Sequence, residues 1–416
     1  MQNIISAVFL WLYRAFCVFL TPAYYIFLKR RIGIDKEDPL RFREKLGIYV
    51  TPRPNGKVIW IHAASVGEVN SVLMLVQILS KHANVLITSC TKTSQNLLAS
   101  KNLNGVIAQY AVLDNPIYIK RFLKHWKPDV FCVVESECWP NLFAITRKHV
   151  RCMLAVNTRF SPSSMRKWLK YPSLFCAIYG KFDEIFPQSS ELSSNLAGLG
   201  IRNEYVGNLK YDIRVSDCSP LDIDFFGKKI ILFASTHAGE EEIIANNAHD
   251  ILKSIPNAII IIAIRHPHRS SDVRNLLMQS NLSISVRSQN EVPTRDTQVY
   301  LVDTIGELMS FYQVCHLAIV CGNFVDGIGG HNPLEPAYFS KPIVVGPYCA
   351  NCAEMVLQMS QSGAIFESSV KNLASDVAEL IGSEAKMLQL AQNANRFLVR
   401  NSGATHKISE FILSKL

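Results

Sequence analysis

Short apolar runs, each closed by a polar loop and followed by a helical period, recur from Val58 almost to the end of the chain. This alternation constrains the fold more than any other feature, because a repeated strand–helix order builds parallel sheets covered by helices. In the first half the runs are Val58 to Ile61, Asn84 to Cys90, Val106 to Tyr110, Asp129 to Val134, Val150 to Val156, Phe182 to Phe186 and Tyr205 to Val206. A polar, Pro-bearing stretch, Asp217 to Asp224, then reads as an inter-domain linker. The pattern restarts with Lys229 to Ala234, Ala258 to Ile264, Val299 to Val302, Leu317 to Val320 and Ile343 to Val345. Two α/β domains with parallel sheets are expected. A last helix from about Asp376 carries an apolar stripe suited to crossing back onto the first domain.

The N-terminal end differs from the rest. Ile4 to Leu28 is strongly apolar, is interrupted by Arg14 and closes with Lys29-Arg30-Arg31. At about 1.5 Å per helical residue it can cross a hydrocarbon core of about 30 Å. No small-residue cleavage site follows, so an uncleaved anchor is expected, with the basic cluster keeping the rest of the chain cytoplasmic. An interfacial helix is the alternative, since Tyr13 and Arg14 sit in mid-run. Of the formal net charge of +9, residues 1–60 carry +6, which suits an anionic membrane surface. No aromatic-basic RNA-binding motif is present, and no nucleic-acid partner is expected. The 11 cysteines lack disulfide spacing and read as reduced thiols; Cys349-Ala-Asn-Cys352 reads as incidental.

Several chemistries lose their usual signatures. Neither half shows Gly-x-Gly-x-x-Gly after its first strand, a Walker loop, an Asp-x-Asp of the kind that holds a metal–nucleotide pair, or a Gly-x-Ser-x-Gly elbow. His266 and His268 flank a proline without carboxylate or thiolate company, so no metal is expected there. What stands out is polar residues at strand ends, where open α/β sheets bind ligands. After Val58 to Ile61 comes a small-residue loop and a helix with Glu68 in its first turn. Glu68 reads equally as a helix-start acid and as a functional carboxylate. Glu135 and Glu137 end a buried strand, and one of them reads alternatively as a structural acid paired with Arg159. Arg265 and His266 follow another strand and suit a phosphate. Gly306, Glu307 and Leu308 open a helix whose N–H groups suit a phosphate or a base edge. The glycine loop from Gly327 to Gly330 leads through His331 into a helix expected to start at Asn332, with Pro333 at its first position. Glu335 has the spacing of a reciprocal cap. Capping accounts for Asn332 and Glu335 but not for the glycines. A loop delivering a helix N-terminus to a ligand, with an acid for ribose hydroxyls, accounts for both.

Taken in order, these motifs resemble the 3-deoxy-D-manno-octulosonic acid (Kdo) transferases of lipopolysaccharide synthesis over nearly the whole chain. They are His62-Ala-Ala-Ser-Val-Gly-Glu68, Glu135-Ser-Glu137-Cys-Trp-Pro-Asn141, Asn157-Thr-Arg159-Phe-Ser161 and Gly207-Asn-Leu-Lys210-Tyr-Asp212. Ser235-Thr-His237-Ala-Gly-Glu-Glu, Arg265-His-Pro-His268, Gly306-Glu-Leu308 and Gly330-His-Asn-Pro-Leu-Glu335 complete the set. Cys138, Phe160 and His268 depart from the pattern. The resemblance implies a GT-B glycosyltransferase, two Rossmann-like domains with parallel sheets facing a central cleft, plus the N-terminal membrane anchor helix. The domains are then an anchor over 1–31, an acceptor domain over 32–216, a CMP-sugar domain over 217–395 and a returning helix over 396–416.

It further implies the donor CMP-Kdo, a lipid A precursor as acceptor, inversion at the anomeric centre, and no metal or other cofactor. Glu68 would be the general base, with Glu135 and Lys210 stabilising the transition state. Arg265, His266, Gly306, Glu307, Leu308, Asn332, Pro333, Leu334 and Glu335 would bind CMP. Lys29, Arg30, Arg31, Arg41 and Arg43 are expected to meet the acceptor phosphates at the cytoplasmic face of the inner membrane. The competing readings are a GT-B transferase using another nucleotide sugar, and an inactive membrane-tethered nucleotide-binding module.

Overall fold

The computed structural model of the chain describes residues 2–213, 218 and 221–416. The expected domain boundary between 216 and 217 lies outside them, as do positions 217, 219 and 220 of the expected linker. Two compact units form: Met1–Asp212 with Asn401–Leu416, and Ile213–Arg400.

The first unit holds six strands: β1 (Val58–His62), β2 (Asn84–Ser89), β3 (Val106–Tyr110), β4 (Val130–Val134), β5 (Cys152–Thr158) and β6 (Glu184–Pro187). They pair in the order β3-β2-β1-β4-β5-β6, all parallel. Every residue of β1, β4 and β5 is buried, as expected of strands covered on both faces. Side chains of alternate parity feed two cores, one around Trp60, Phe122, Phe131 and Phe143, the other around Ile59, Ile61, Val72 and Val76. The strand order reverses between β1 and β4, and their carboxyl ends therefore flank the crevice where such sheets bind ligands.

The second unit holds β7 (Lys229–Thr236), β8 (Ala258–Ile264), β9 (Ile284–Val286), β10 (Val299–Val302), β11 (Leu317–Val320), β12 (Ile343–Val345) and β13 (Phe366–Glu367). Their order is β13-β12-β11-β7-β8-β10-β9, again wholly parallel, with the reversal at β7 and β11. The strands β9 and β13 escape sequence reading because two or three residues show no period. Tyr205 to Val206, expected as a strand, is not one; this edge offers only an isolated bridge between Ile185 and Asn203.

The apolar N-terminal run is not one helix. It forms α1 (Gln2–Phe19) and α2 (Thr21–Gly33), bent by 58° at Leu20. Pro22, which has no N–H to give a preceding turn, sits at the start of α2. No single helix is long and apolar enough to cross a membrane, although the bent pair passes by length and composition. The mid-run polar residues dock α1 onto the first unit. The Tyr13 hydroxyl donates to Asp114 Oδ2 (2.8 Å), Arg14 Nε donates to Asn141 Oδ1 (3.3 Å), and Asn115 Nδ2 donates to the Cys17 carbonyl (2.6 Å). Phe9, Trp11, Phe16 and Phe19 remain exposed.

The expected single last helix is three: Leu373–Ile381, Glu384–Asn401 and Ala404–Leu413. Glycines sit at both breaks, and Gly403 has φ +104°. The last of the three belongs to the first unit, where Ile408 and Ile412 join the core on the side of α3 (Val66–Leu79). Asp212 takes the N–H groups of Gly403 and Thr405 and so fixes its entry.

Candidate active site

Glu68 occupies the first turn of α3, at the carboxyl end of β1. Ser65 caps the helix by accepting the Glu68 N–H (3.3 Å), and its hydroxyl donates to Glu68 Oε1 (2.9 Å). The Ala64 N–H donates to Glu68 Oε2 (2.7 Å). Both carboxylate oxygens are thus held. Burial pushes the Glu68 carboxyl above its ordinary range and the charge of Glu137 adds to this, while the Ala64 N–H and the Ser65 hydroxyl pull it back. A half-buried carboxylate with raised basicity is suited to taking a proton near neutral pH.

Beside it, Glu135 sits at φ +56°, a left-handed conformation uncommon for a glutamate, where β4 ends. Its Oε1 lies 2.8 Å from Lys210 Nζ. Of the two acids, one of which reads alternatively as a partner of Arg159, Glu135 pairs with Lys210. Lys210 is carried by a 3-10 turn, Leu209–Tyr211, and the Asn157 side chain accepts the Leu209 N–H (3.1 Å). The Asn157 and Lys210 motifs are thus one assembly. Glu137 accepts the Trp139 indole N–H and lies 3.7 Å from His62 Nε2.

In the second unit the motifs meet at the ends of β7, β8 and β11. Two buried acids hold them together. Glu240 accepts backbone N–H groups from Gly322 (2.7 Å), Asn323 (3.0 Å), Phe324 (3.1 Å) and His237 (3.0 Å). Glu241 accepts from Thr236 Oγ1 (2.9 Å) and binds Arg269 through both oxygens (2.9 and 3.2 Å). The first clamp fixes the entry to the glycine loop; the second fixes the turn that carries Arg265 and His266. Both of these side chains are exposed. His237 and His331 face each other with their Nε2 atoms 2.8 Å apart, so one donates and the other accepts. Burial pushes His331 down to about 4, and burial with the nearby cations lowers His237, so the pair is neutral near pH 7.

The glycines are explained by packing. A Cβ on Gly322 (φ +80°) would stand 2.7 Å from His331 Cδ2, and one on Gly329 (φ +96°) would stand 2.5 Å from Asn351 Nδ2. The helix after them is short, Leu334–Tyr338, and its first helical residue is Leu334 rather than the expected Pro333. Asn332 Oδ1 accepts the Leu334 N–H (3.1 Å), a local turn bond, and Pro333 stands at the cap. Among the described residues Glu335 forms no reciprocal cap. Its carboxyl is pushed up to about 7 by burial, against the pull of Arg265. Gly306 (φ +95°) and Glu307 precede the helix Leu308–Val314. The Glu307 carboxylate is taken by Arg287 (2.6 Å) and Thr304 Oγ1.

The four expected acceptor arginines divide. Arg41 chelates Glu44 (2.7 and 3.0 Å), donates to the Ala108 carbonyl (2.8 Å) and stacks on Tyr110, while Arg31 pairs with Glu37 (2.8 Å). Arg41 holds the connector to the sheet edge, while Arg31 ties α2 to the connector. Arg30 and Arg43 are exposed. Sequence reading passed over Glu240, Glu241 and the His237–His331 contact. The signal was weak: an acid three or four residues after a strand-end Thr-His resembles any helix-start acid.

Two doubly wound parallel units, each with polar groups gathered at its topological switch point, define a GT-B glycosyltransferase fold. MurG of Acinetobacter baumannii has this fold, with a TM-score of 0.53 at 12% identity over 86% of this chain and 100% of that one. Residues 40–213 match the family of 3-deoxy-D-manno-octulosonic-acid transferases (kdotransferases). The 3-deoxy-D-manno-octulosonic acid transferase of Rickettsia bellii is 33% identical over 402 residues, covering 94% of this chain and 96% of that protein. That of Haemophilus influenzae is 32% identical over 390 residues, covering 89% and 90%. The chain belongs to this family of transferases.

Proposed function

We propose that this enzyme transfers Kdo from CMP-Kdo to a hydroxyl of a lipid A precursor and releases CMP, at the cytoplasmic face of the inner membrane. The observation that carries the reading is Glu68, a carboxylate of raised basicity with both oxygens held at the switch point of the first sheet. An alcohol is a poor nucleophile at neutral pH, so Glu68 takes its proton as it attacks. Attack on the face opposite the departing CMP inverts the anomeric centre. Departure leaves an oxocarbenium-like carbon and a phosphate bearing new negative charge. Lys210, oriented by Glu135, and Arg265 with His266 offset that charge. Backbone N–H groups at Gly306 to Leu308 and the Asn332-Pro333-Leu334 turn hold the nucleotide, and Glu335 takes ribose hydroxyls. The donor carries one phosphate, so side-chain cations suffice and no metal is required; a chelator should leave turnover unchanged.

The exposed apolar face of α1 and α2 lies in the membrane interface, with Arg30 and Arg43 toward acceptor phosphates or anionic lipid. The decisive experiment mixes full-length protein with CMP-Kdo and the lipid A precursor and resolves the products by mass. Glu68→Gln should bind CMP normally and lose about 10²–10⁴-fold in turnover, the usual contribution of a positioned base. Retained turnover would remove Glu68 from its role; loss of CMP binding would place it elsewhere in the mechanism.

A further inference from the structure

His62 and Glu137 stand beside Glu68 and have no part in the steps above. His62 ends β1, in register with Thr88 on β2 and Val133 on β4. The Thr88 hydroxyl is the hydrogen-bond partner of its ring. Trp60 Nε1–H donates to Thr88 Oγ1 (2.9 Å), and His62 Nδ1 lies 3.0 Å from the same oxygen. A Thr88 proton given to Nδ1 leaves the imidazole's own proton on Nε2, the tautomer that the inference takes. That Nε2 is buried, has no hydrogen-bond partner among the described residues, and faces Glu137 Oε2 at 3.7 Å. The Trp139 indole N–H reaches the same oxygen, and the Tyr179 hydroxyl holds the Glu137 carbonyl (3.0 Å). A relay from Trp60 through Thr88 and His62 thus ends on one carboxylate oxygen.

We propose that Glu137, held by the Trp139 indole N–H and faced by His62 Nε2, is a positioning residue that keeps a fixed negative charge beside Glu68 and so strengthens it as a base. The inference rests on the reading of Glu68 as the general base. Burial alone would raise the Glu137 carboxyl, but His62 and Trp139 hold it below the ordinary range, so it stays charged where Glu68 titrates. The other groups facing Glu68 do not supply that charge. Cys90, at the end of β2, is pushed up to about 12 by burial and is neutral. Lys45 and Glu37 lie behind Cys90 and pair with each other (2.6 Å). Lys210 and Glu135 likewise pair with each other.

The test is the pH dependence of kcat for the full-length enzyme with CMP-Kdo and the lipid acceptor. In Glu137→Gln the acid limb, set by ionisation of Glu68, should move to lower pH by roughly one unit, the effect of removing one nearby like charge. At the plateau kcat should fall several-fold because the base is weaker, while the KM for CMP-Kdo holds. His62→Gln, whose amide can still present an N–H to Glu137, should keep the wild-type limb. An acid limb that stays in place in Glu137→Gln overturns the proposal, even if the variant is less stable. Glu68→Gln separates the two readings: if it turns over normally, the base itself is misassigned, whereas its inactivity with an unmoved Glu137→Gln limb defeats only the positioning role.

Discussion

At the scale of single residues, Glu68 is both a helix-start acid and the candidate base, and the two roles support each other. The bonds from Ser65 and Ala64 that complete the start of α3 also hold the carboxylate in one orientation. Ser65→Ala should therefore act twice. It removes a cap, worth about 1 kcal/mol of stability. It also removes a donor that favours the ionised carboxylate, so the acid limb of the pH–rate profile should move to higher pH, opposite to the shift in Glu137→Gln. Thermal unfolding and the kcat profile read the two effects separately. Arg41 and Arg43 look alike in sequence and differ in place. Arg41→Ala strips the chelating partner from Glu44, which also accepts the Tyr110 N–H (2.7 Å), and should cost about 1–3 kcal/mol in a denaturation experiment. Arg43→Ala, at an exposed position, should cost almost nothing.

At the scale of elements, the glycine loop and the N-terminal helix make the clearest predictions. Gly322→Ala puts a methyl group against His331 at a backbone angle that only glycine adopts freely. The loop must move to admit it, and CMP affinity measured by calorimetry should fall about tenfold or more, a loss of roughly 1.4 kcal/mol. An unchanged affinity would mean that the loop does not form part of the nucleotide site. The helix α1 is attached through polar groups. Asp114 accepts from Tyr13 and from the N–H groups of Asn141 and Leu142, the latter at 2.7 Å. Asp114→Ala leaves those N–H groups buried and unpaired, at a cost of about 1–3 kcal/mol per group, and should loosen α1 enough to expose it to protease.

At the scale of the whole molecule, the membrane-facing surface proposed for α1 and α2 would explain two otherwise costly features. The apolar side chains of α1 and α2 are left in the open, and positive charge is concentrated near them. Binding to vesicles containing anionic lipid should weaken with Arg30→Glu and Arg43→Glu by about 1 kcal/mol or more for each basic residue lost. Flotation assays at low and high salt would measure this; binding that ignores both charge and salt would leave the apolar face alone responsible. The closing helix has a comparable architectural role. Removing residues 402–416 uncovers the core side of α3 where Ile408 and Ile412 pack, and should yield insoluble protein.

The amino-acid sequence by itself determined the parallel α/β class, most of the strands and the positions of the polar loops. Those properties follow from periodicity over a handful of residues, and a buried strand needs no distant partner to be apolar. It also placed Glu68, Lys210 and Arg265 in motifs: Arg265 follows an apolar run directly, and Glu68 and Lys210 each lie a short loop beyond one. Only the tertiary structure decided which charges face each other. Glu135 met Lys210, Glu240 bound the glycine loop across more than eighty residues of chain, and Arg31 and Arg41 turned inward. The same holds for the bent N-terminal pair, where Tyr13 and Arg14 found partners on the first sheet unit. Such pairings depend on strand order and crossover paths, which bring together residues whose spacing along the chain carries no record of their contact.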